Sequence, residues 1–299
     1  MAHVHEHDTG GGSARALLLA LAVTAGYTVV EVVAGLLTGS LALLADAAHM
    51  LSDNVSIALA LVAIVLSRRP STPRRTYGFK RAEVLAALAN GVALVVLALW
   101  IFYEAIQRLG DPPGVLGGWM LAVGALGIGV NVGAGGILFR GRGESLNVEA
   151  AFRHVLADLL GSLGVVVAAV VIVVTGWVEA DPLVSVVIGV LVLASSWTIL
   201  RDSTSILLEA APRGIDTRAV GERLAAAPGV VEVHDLHIWT ITSGFPALSA
   251  HVLVGRGEDC HARRRELEHV LAREFGIEHT TLQVDHVGEP GGLVEIGRL

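Results

Sequence analysis

Two short runs hold the residues with the most chemistry. His49 and Asp53 stand in Asp46-Ala-Ala-His49-Met-Leu-Ser-Asp53, and His154 and Asp158 stand in His154-Val-Leu-Ala-Asp158. In each, the imidazole precedes the carboxylate by four positions, which on a helix stacks the two side chains on one face. Two imidazoles and two carboxylates form a tetrahedral ligand set for zinc. Magnesium and calcium prefer all-oxygen shells, whereas cobalt, nickel and cadmium suit the same donors as zinc. Ligands must lose protons to bind metal, and histidine titrates near neutral pH, so loading such a site releases protons.

The elements that must position these groups are apolar. The chain of 299 residues is 53% hydrophobic and 16% charged. Long apolar runs fill residues 14–200, several of them near the roughly 20 residues that a spanning helix needs. Spans are expected at Ala14–Leu37, Leu41–Leu66, Ala82–Gln107, Gly117–Phe139, Glu149–Thr175 and Pro182–Leu200. A histidine or carboxylate inside such a run is costly in lipid and marks a cavity, a partner or an ion path. Of the 12 histidines, only His49 and His154 lie in the apolar half. Asp46, close to His49 on the helix, reads as a hydrogen-bond acceptor behind that imidazole or as part of the access path, and Glu31 in the first span reads alike. Asn131, in the glycine-rich fourth span, is read as a contact between helices or as a pathway group.

Basic residues orient the spans. Ser67–Arg81 holds Arg68, Arg69, Arg74, Arg75, Lys80 and Arg81, and Arg140 and Arg142 mark the loop before the fifth span. The turn Gly176–Asp181 holds Glu179 and Asp181 and no basic residue. The excess of cations on cytoplasmic loops puts both termini in the cytoplasm. With a rise of 1.5 Å per residue, Asp53 and Asp158 then fall near one level in a core of about 30 Å.

Residues 1–13 read as a disordered tail in which His3, His5 and His7 alternate, either a weak metal binder or a solvated segment. Residues 14–200 form the expected six-helix transmembrane domain, and 201–212 a linker. Residues 213–288 read as helix, strand, strand, helix, strand, an α+β domain with helices on one face of a sheet. Residues 289–299 read as a loose tail. The lone Cys260 rules out an internal disulfide framework and fits a cytoplasmic domain. The net charge of −7 and the lack of a basic patch among aromatics argue against nucleic acid as a partner. The N-terminal stretch carries no cleavable secretory signal, and no Gly-x-x-x-x-Gly-Lys-Ser/Thr run supplies nucleotide energy. The preponderance of arginine, with Lys80 the sole lysine, points to a bacterial plasma membrane.

The run Gly39-Ser-Leu-Ala-Leu-Leu-Ala-Asp46-Ala-Ala-His49-Met-Leu-Ser-Asp53 resembles the signature of the cation diffusion facilitator family. So do Tyr77-Gly-Phe-Lys-Arg-Ala-Glu83, His154-Val-Leu-Ala-Asp158, Val233-His-Asp-Leu-His-Ile-Trp239 and Leu248-Ser-Ala-His251. The resemblance covers residues 14–288. It implies six membrane helices, a cytoplasmic ferredoxin-like αββαβ domain, a homodimer and Zn²⁺/H⁺ exchange that exports metal from the cytoplasm. Its zinc-transporting branch matches best, since manganese and iron branches tend to have Asp where His49 stands. The family's transport ligands map onto His49, Asp53, His154 and Asp158. Its cytoplasmic metal site maps onto His234, His251 and Asp285, with His261 as a further ligand in some members. Gln283 stands where some members have His. The family's site in the loop after the second span is expected to be absent, because Ser67–Arg81 holds no His, Asp or Glu. A charge pair near the dimer hinge maps onto Arg81 and Glu209.

Two alternatives follow from the same residues. A membrane-embedded zinc enzyme would keep an open coordination position, and four ligands leave none. A metal sensor without flux would leave the intramembrane pairs without a role.

Overall fold

The computed structural model describes residues 10–67, 70–140, 146–242 and 244–288; the side chains of some helical residues, His154 among them, lie outside the described residues. The proposed tails, with His3, His5 and His7 at one end, lie largely outside them too. Six long helices come first: α1 (Gly10–Thr38), α2 (Leu41–Ser67), α3 (Ala82–Gly110), α4 (Gly117–Arg140), α5 (Leu146–Thr175) and α6 (Ala180–Leu207). Stretches in α1, α3, α4, α5 and α6 are long and apolar enough to cross a membrane. Helix α1 starts at Gly10, inside the expected tail. Helix α6 continues to Leu207, into the expected linker.

The chain forms two compact units, residues 1–62 with 86–200, and residues 63–85 with 201–299. The core of the first brings together Ala42 and Ala45 of α2, Leu94 and Ala98 of α3, Met120 of α4, Ala168 and Ala169 of α5, and Val192 of α6. Alanine at these contacts lets helix backbones approach closely where lipid removes the usual hydrophobic drive. Large apolar side chains such as Leu36, Val174 and Trp197 face outward instead.

One end of this unit is pinned by a buried acid. Gly39 takes φ +73° and turns α1 into α2, and the Ser40 hydroxyl caps the Leu43 amide at 3.1 Å. Asp181, at the start of α6 and 0% exposed, accepts from the Ser40 hydroxyl (2.6 Å) and from the amides of Leu41 (2.7 Å) and Ala42 (3.2 Å). Arg108 of α3 lies 3.9 Å from the same carboxylate. A helix N-terminus favours an anion and leaves its first amides unpaired, so an acid from another helix serves as the cap of α2. Asp181→Ala is expected to cost about 3 kcal/mol or more, because buried donors would lose their acceptor. A thermal melt of the purified protein checks it, and an unchanged melt would refute this role.

The second unit contains α7 (Thr217–Ala225), β1 (Val230–Thr242), β2 (Phe245–Val254), α8 (Cys260–Phe275) and β3 (His279–His286). The sheet runs β1-β2-β3, with β1 antiparallel and β3 parallel to β2. The parallel pair needs a crossover, which α8 supplies. Leu248, Ala250, Val252 and Val254 alternate along β2 and pack with Val220 and Leu224 of α7 and Leu267 and Leu271 of α8. Asp216 caps α7 and Asp259 caps α8. The amides of Ala262 and His261 hold the Asp259 carboxylate below the usual aspartate range. The cap's contribution is therefore complete above about pH 3.9 and disappears as pH falls through the lowered folded-state value.

The basic segment between α2 and α3 belongs to this second unit. Its Lys80 ammonium sits 3.7 Å from the centre of the Phe245 ring, and the Tyr77 ring meets His279 edge-on at 5.9 Å. Glu83 accepts a hydrogen bond from the Thr242 hydroxyl at 3.1 Å.

Candidate metal centre

In the first unit, α2 and α5 bring His49, Asp53 and Asp158 together. His49 Nδ1 lies 3.7 Å from Asp53 Oδ2, and His49 Nε2 lies 3.7 Å from Asp158 Oδ1. One ligand atom from each falls within 4.8 Å of the others. Zinc bonds of roughly 2.1 Å at tetrahedral angles put ligand atoms about 3.4 Å apart, so a small contraction fits these three to one ion. The Asp158 side chain is 4% exposed, against 24% for Asp53 and 19% for His49. His154 lies one turn before Asp158 in α5, and its side chain is outside the described residues.

A second polar group lies among the same helices. Glu31 of α1 and Asp46 of α2 are 0% and 1% exposed, and their carboxyl groups touch. Asn131 Nδ2 of α4 donates to Ser162 Oγ of α5 at 3.2 Å, and the Ser162 hydroxyl donates to Asp46 Oδ2 at 3.3 Å. Asn131 thus links α4 to α5, the first of the two readings its position in the sequence allowed. Ser162 was not among the sequence candidates; its signal is its place four residues after Asp158, on the same face of α5.

The cytoplasmic candidates are only partly gathered. His234 and His251 are opposite each other across β1 and β2, and their rings stack 5.4 Å apart. Gln283 is the next position across the sheet, opposite His251. Its amide donates to Asp285 Oδ2 at 2.8 Å. His261 is in the first turn of α8. Among the described residues these side chains form no group of three with ligand atoms within 4.8 Å. Sequence reasoning missed Asp235, which takes φ +52° where the register of β1 shifts between His234 and His237. The bulge aims Asp235 at His237 Nε2 (2.9 Å) and toward His251 Nε2 (3.7 Å). Aspartate tolerates the left-handed region, but nothing in strand alternation announces it.

Arg81 and Glu209 lie 3.1 Å apart in the second unit. Both are substantially exposed, so the pair contributes little stability by itself.

Comparison with known proteins agrees along nearly the whole chain. Residues 17–208 match the cation efflux transmembrane domain, and residues 212–287 match the cation efflux protein cytoplasmic domain. The zinc transporter ZitB of Escherichia coli K12 is 44% identical over 292 residues, covering 96% of this chain and 93% of ZitB. The metal cation efflux system protein CzcD of Cupriavidus metallidurans is 42% identical over 282 residues, covering 94% and 89%. A cadmium, cobalt and zinc/H⁺-K⁺ antiporter of Bacillus subtilis is 40% identical over 286 residues, covering 94% and 91%.

Proposed function

The chain belongs to the cation efflux, or cation diffusion facilitator, family of membrane metal transporters, and from that premise we propose that it exports Zn²⁺ from the cytoplasm in exchange for protons. One observation carries the choice of ion and site: an imidazole and two carboxylates from α2 and α5 converge within 4.8 Å among helices long enough to span a bilayer. His154, one turn before Asp158, completes the set as the fourth ligand. His49, Asp53, His154 and Asp158 bind the metal near the midplane, and deprotonation of the ligands couples loading to proton release. Both termini lie in the cytoplasm of a bacterial cell, with the protein in the plasma membrane as a homodimer. The chain is not an enzyme: its family moves ions. Cadmium and cobalt, named for relatives of this chain, compete for the same donors.

The test uses the full chain in lipid vesicles that hold a zinc-sensitive dye. An imposed pH gradient is expected to drive zinc accumulation, and collapsing it should return uptake to the leak level. Cadmium and cobalt should compete, whereas manganese, which prefers oxygen donors, should compete poorly. Zinc binding without gradient-dependent flux would favour the sensor and overturn the antiporter.

We also propose that the second unit binds metal through His234, His251 and Asp285, with His261, and that loading biases the conformational equilibrium. Gln283→His would place a third imidazole in line with His234 and His251 across the sheet. The variant is expected to bind additional zinc about tenfold more tightly, ~1.4 kcal/mol. Calorimetry on a background of Asp158→Asn, which silences the membrane site, measures this, and unchanged affinity would remove the sheet face as a ligand platform.

A further inference from the structure

We infer that Glu31 and Asp46 form a second cation station that carries a counter-transported proton in addition to those released by the zinc ligands His49, Asp53 and Asp158. The inference rests on metal exchange against a counter-cation, as proposed above.

Two carboxyl groups in contact inside a protein need a hydrogen between them. Glu31 and Asp46 touch, yet no donor among the described residues reaches Glu31 Oε2 or Asp46 Oδ1. Among the described residues, the further charged group acting on both is Asp158, another acid. Like charges in a low-dielectric interior cannot all stay ionised without a cation among them. The oxygen Oδ1 of Asn131, itself 1% exposed, is a further buried acceptor without a donor among the described residues.

The surroundings suit a proton and leave little room for anything larger. A Cβ on Gly161 would lie 2.4 Å from Asp46 Oδ1, and one on Gly127 would lie 2.3 Å from the Tyr27 hydroxyl oxygen. The backbone of α5 at Gly161 thus closes on Asp46, and that of α4 at Gly127 on the Tyr27 hydroxyl that reaches Glu31, which leaves little space for a hydrated metal ion. Tyr27 also supplies a two-way hydrogen bond. Its hydroxyl oxygen is 3.1 Å from Glu31 Oε1 and 3.1 Å from the Val123 carbonyl. It donates to Glu31 when that group is a carboxylate. When Glu31 carries a proton, Tyr27 accepts from it and donates to Val123 instead. Both charge states of the glutamate are then fully hydrogen-bonded at that oxygen.

The same arrangement links the two stations. Asp46 lies two turns before Asp53 on α2, about 10 Å along the axis. Asp158 belongs to the zinc site and acts electrostatically on the pair. A divalent ion on Asp158 cancels that negative charge and adds positive charge, so it weakens the pair's hold on its proton. By linkage, the held proton weakens zinc to the same degree. In a protein that alternates access to the two sides, that reciprocity favours exchange of one ion for the other.

The test separates the two ions. Glu31→Gln and Asp46→Asn, in the full chain, are compared with Asp158→Asn for zinc affinity, protons released per zinc, and uptake driven by a pH gradient alone or a potassium gradient alone. Glu31→Gln and Asp46→Asn, which fix the pair in its neutral state, are expected to weaken zinc by no more than the proton's own coupling, about tenfold or ~1.4 kcal/mol, and by far less than Asp158→Asn. They should release fewer protons per zinc and lose about tenfold or more of the pH-driven uptake. Wild-type proton release and pH-driven uptake in both would overturn the second station and leave the zinc site standing. Zinc uptake driven by potassium, and removed by Glu31→Gln, would overturn the proton as its occupant. Loss of zinc affinity in neither Asp158→Asn nor Asp53→Asn would refute the zinc site itself. Should the glutamate variant fail to fold, Tyr27→Phe decides: it keeps the ring and the zinc affinity, and slower pH-driven uptake is expected, whereas unchanged uptake refutes the relay.

Discussion

Asp158→Asn is expected to abolish zinc transport while leaving the fold intact. The amide has nearly the shape of the carboxylate, so packing at this 4% exposed position is preserved. What disappears is a full negative charge facing His49 Nε2 across 3.7 Å. A metal in that site would keep two positive charges against one carboxylate, Asp53. Leaving a buried charge uncompensated costs roughly 3–5 kcal/mol, which is a fall in zinc affinity of about 10² to 10⁴-fold. Calorimetric zinc binding and dye-reported uptake measure the loss. Melting without metal should be unchanged or raised, since the substitution takes a charge out of the interior. Transport at the wild-type rate would mean that Asp158 does not hold the ion.

His49→Asp carries the second large effect, on ion preference. His49 faces Asp53 with one ring nitrogen and Asp158 with the other. Aspartate is shorter than histidine and cannot span between those two carboxylates in the same way. It also turns a mixed nitrogen and oxygen shell into one dominated by oxygen, which favours manganese over zinc. Three acids and His154 would bind zinc less well and manganese better. The ratio of zinc to manganese uptake is expected to fall by about tenfold or more, at least ~1.4 kcal/mol of discrimination. Uptake of both ions in the same vesicles gives the ratio directly. An unchanged ratio would show that selectivity is set elsewhere in the path.

Much of this was legible in the order of residues. The six apolar runs became α1 to α6, because a bilayer demands long helices and little else satisfies their backbones. The helix, strand, strand, helix, strand order of the second unit was legible too, whereas Asp259, which caps α8, showed itself only in the structure. The spacing of His49 with Asp53 predicted their shared face, since helical periodicity is a property of one helix. Periodicity says nothing about which neighbour meets that face. Only the packing of α5 on α2 brings Asp158 to His49, and only the packing of α1, α2, α4 and α5 gathers Tyr27, Glu31, Asp46, Asn131 and Ser162. At Gly127 and Gly161 the fold uses the absence of a side chain to seat a hydroxyl and a carboxylate. Asp181 read as an acid in an outer turn and is instead the cap of α2, a contact across 140 residues. Local chemistry fixes faces, caps and element lengths through neighbours within a few residues. Which charges share a low-dielectric interior depends on contacts between distant segments, and that is decided in three dimensions.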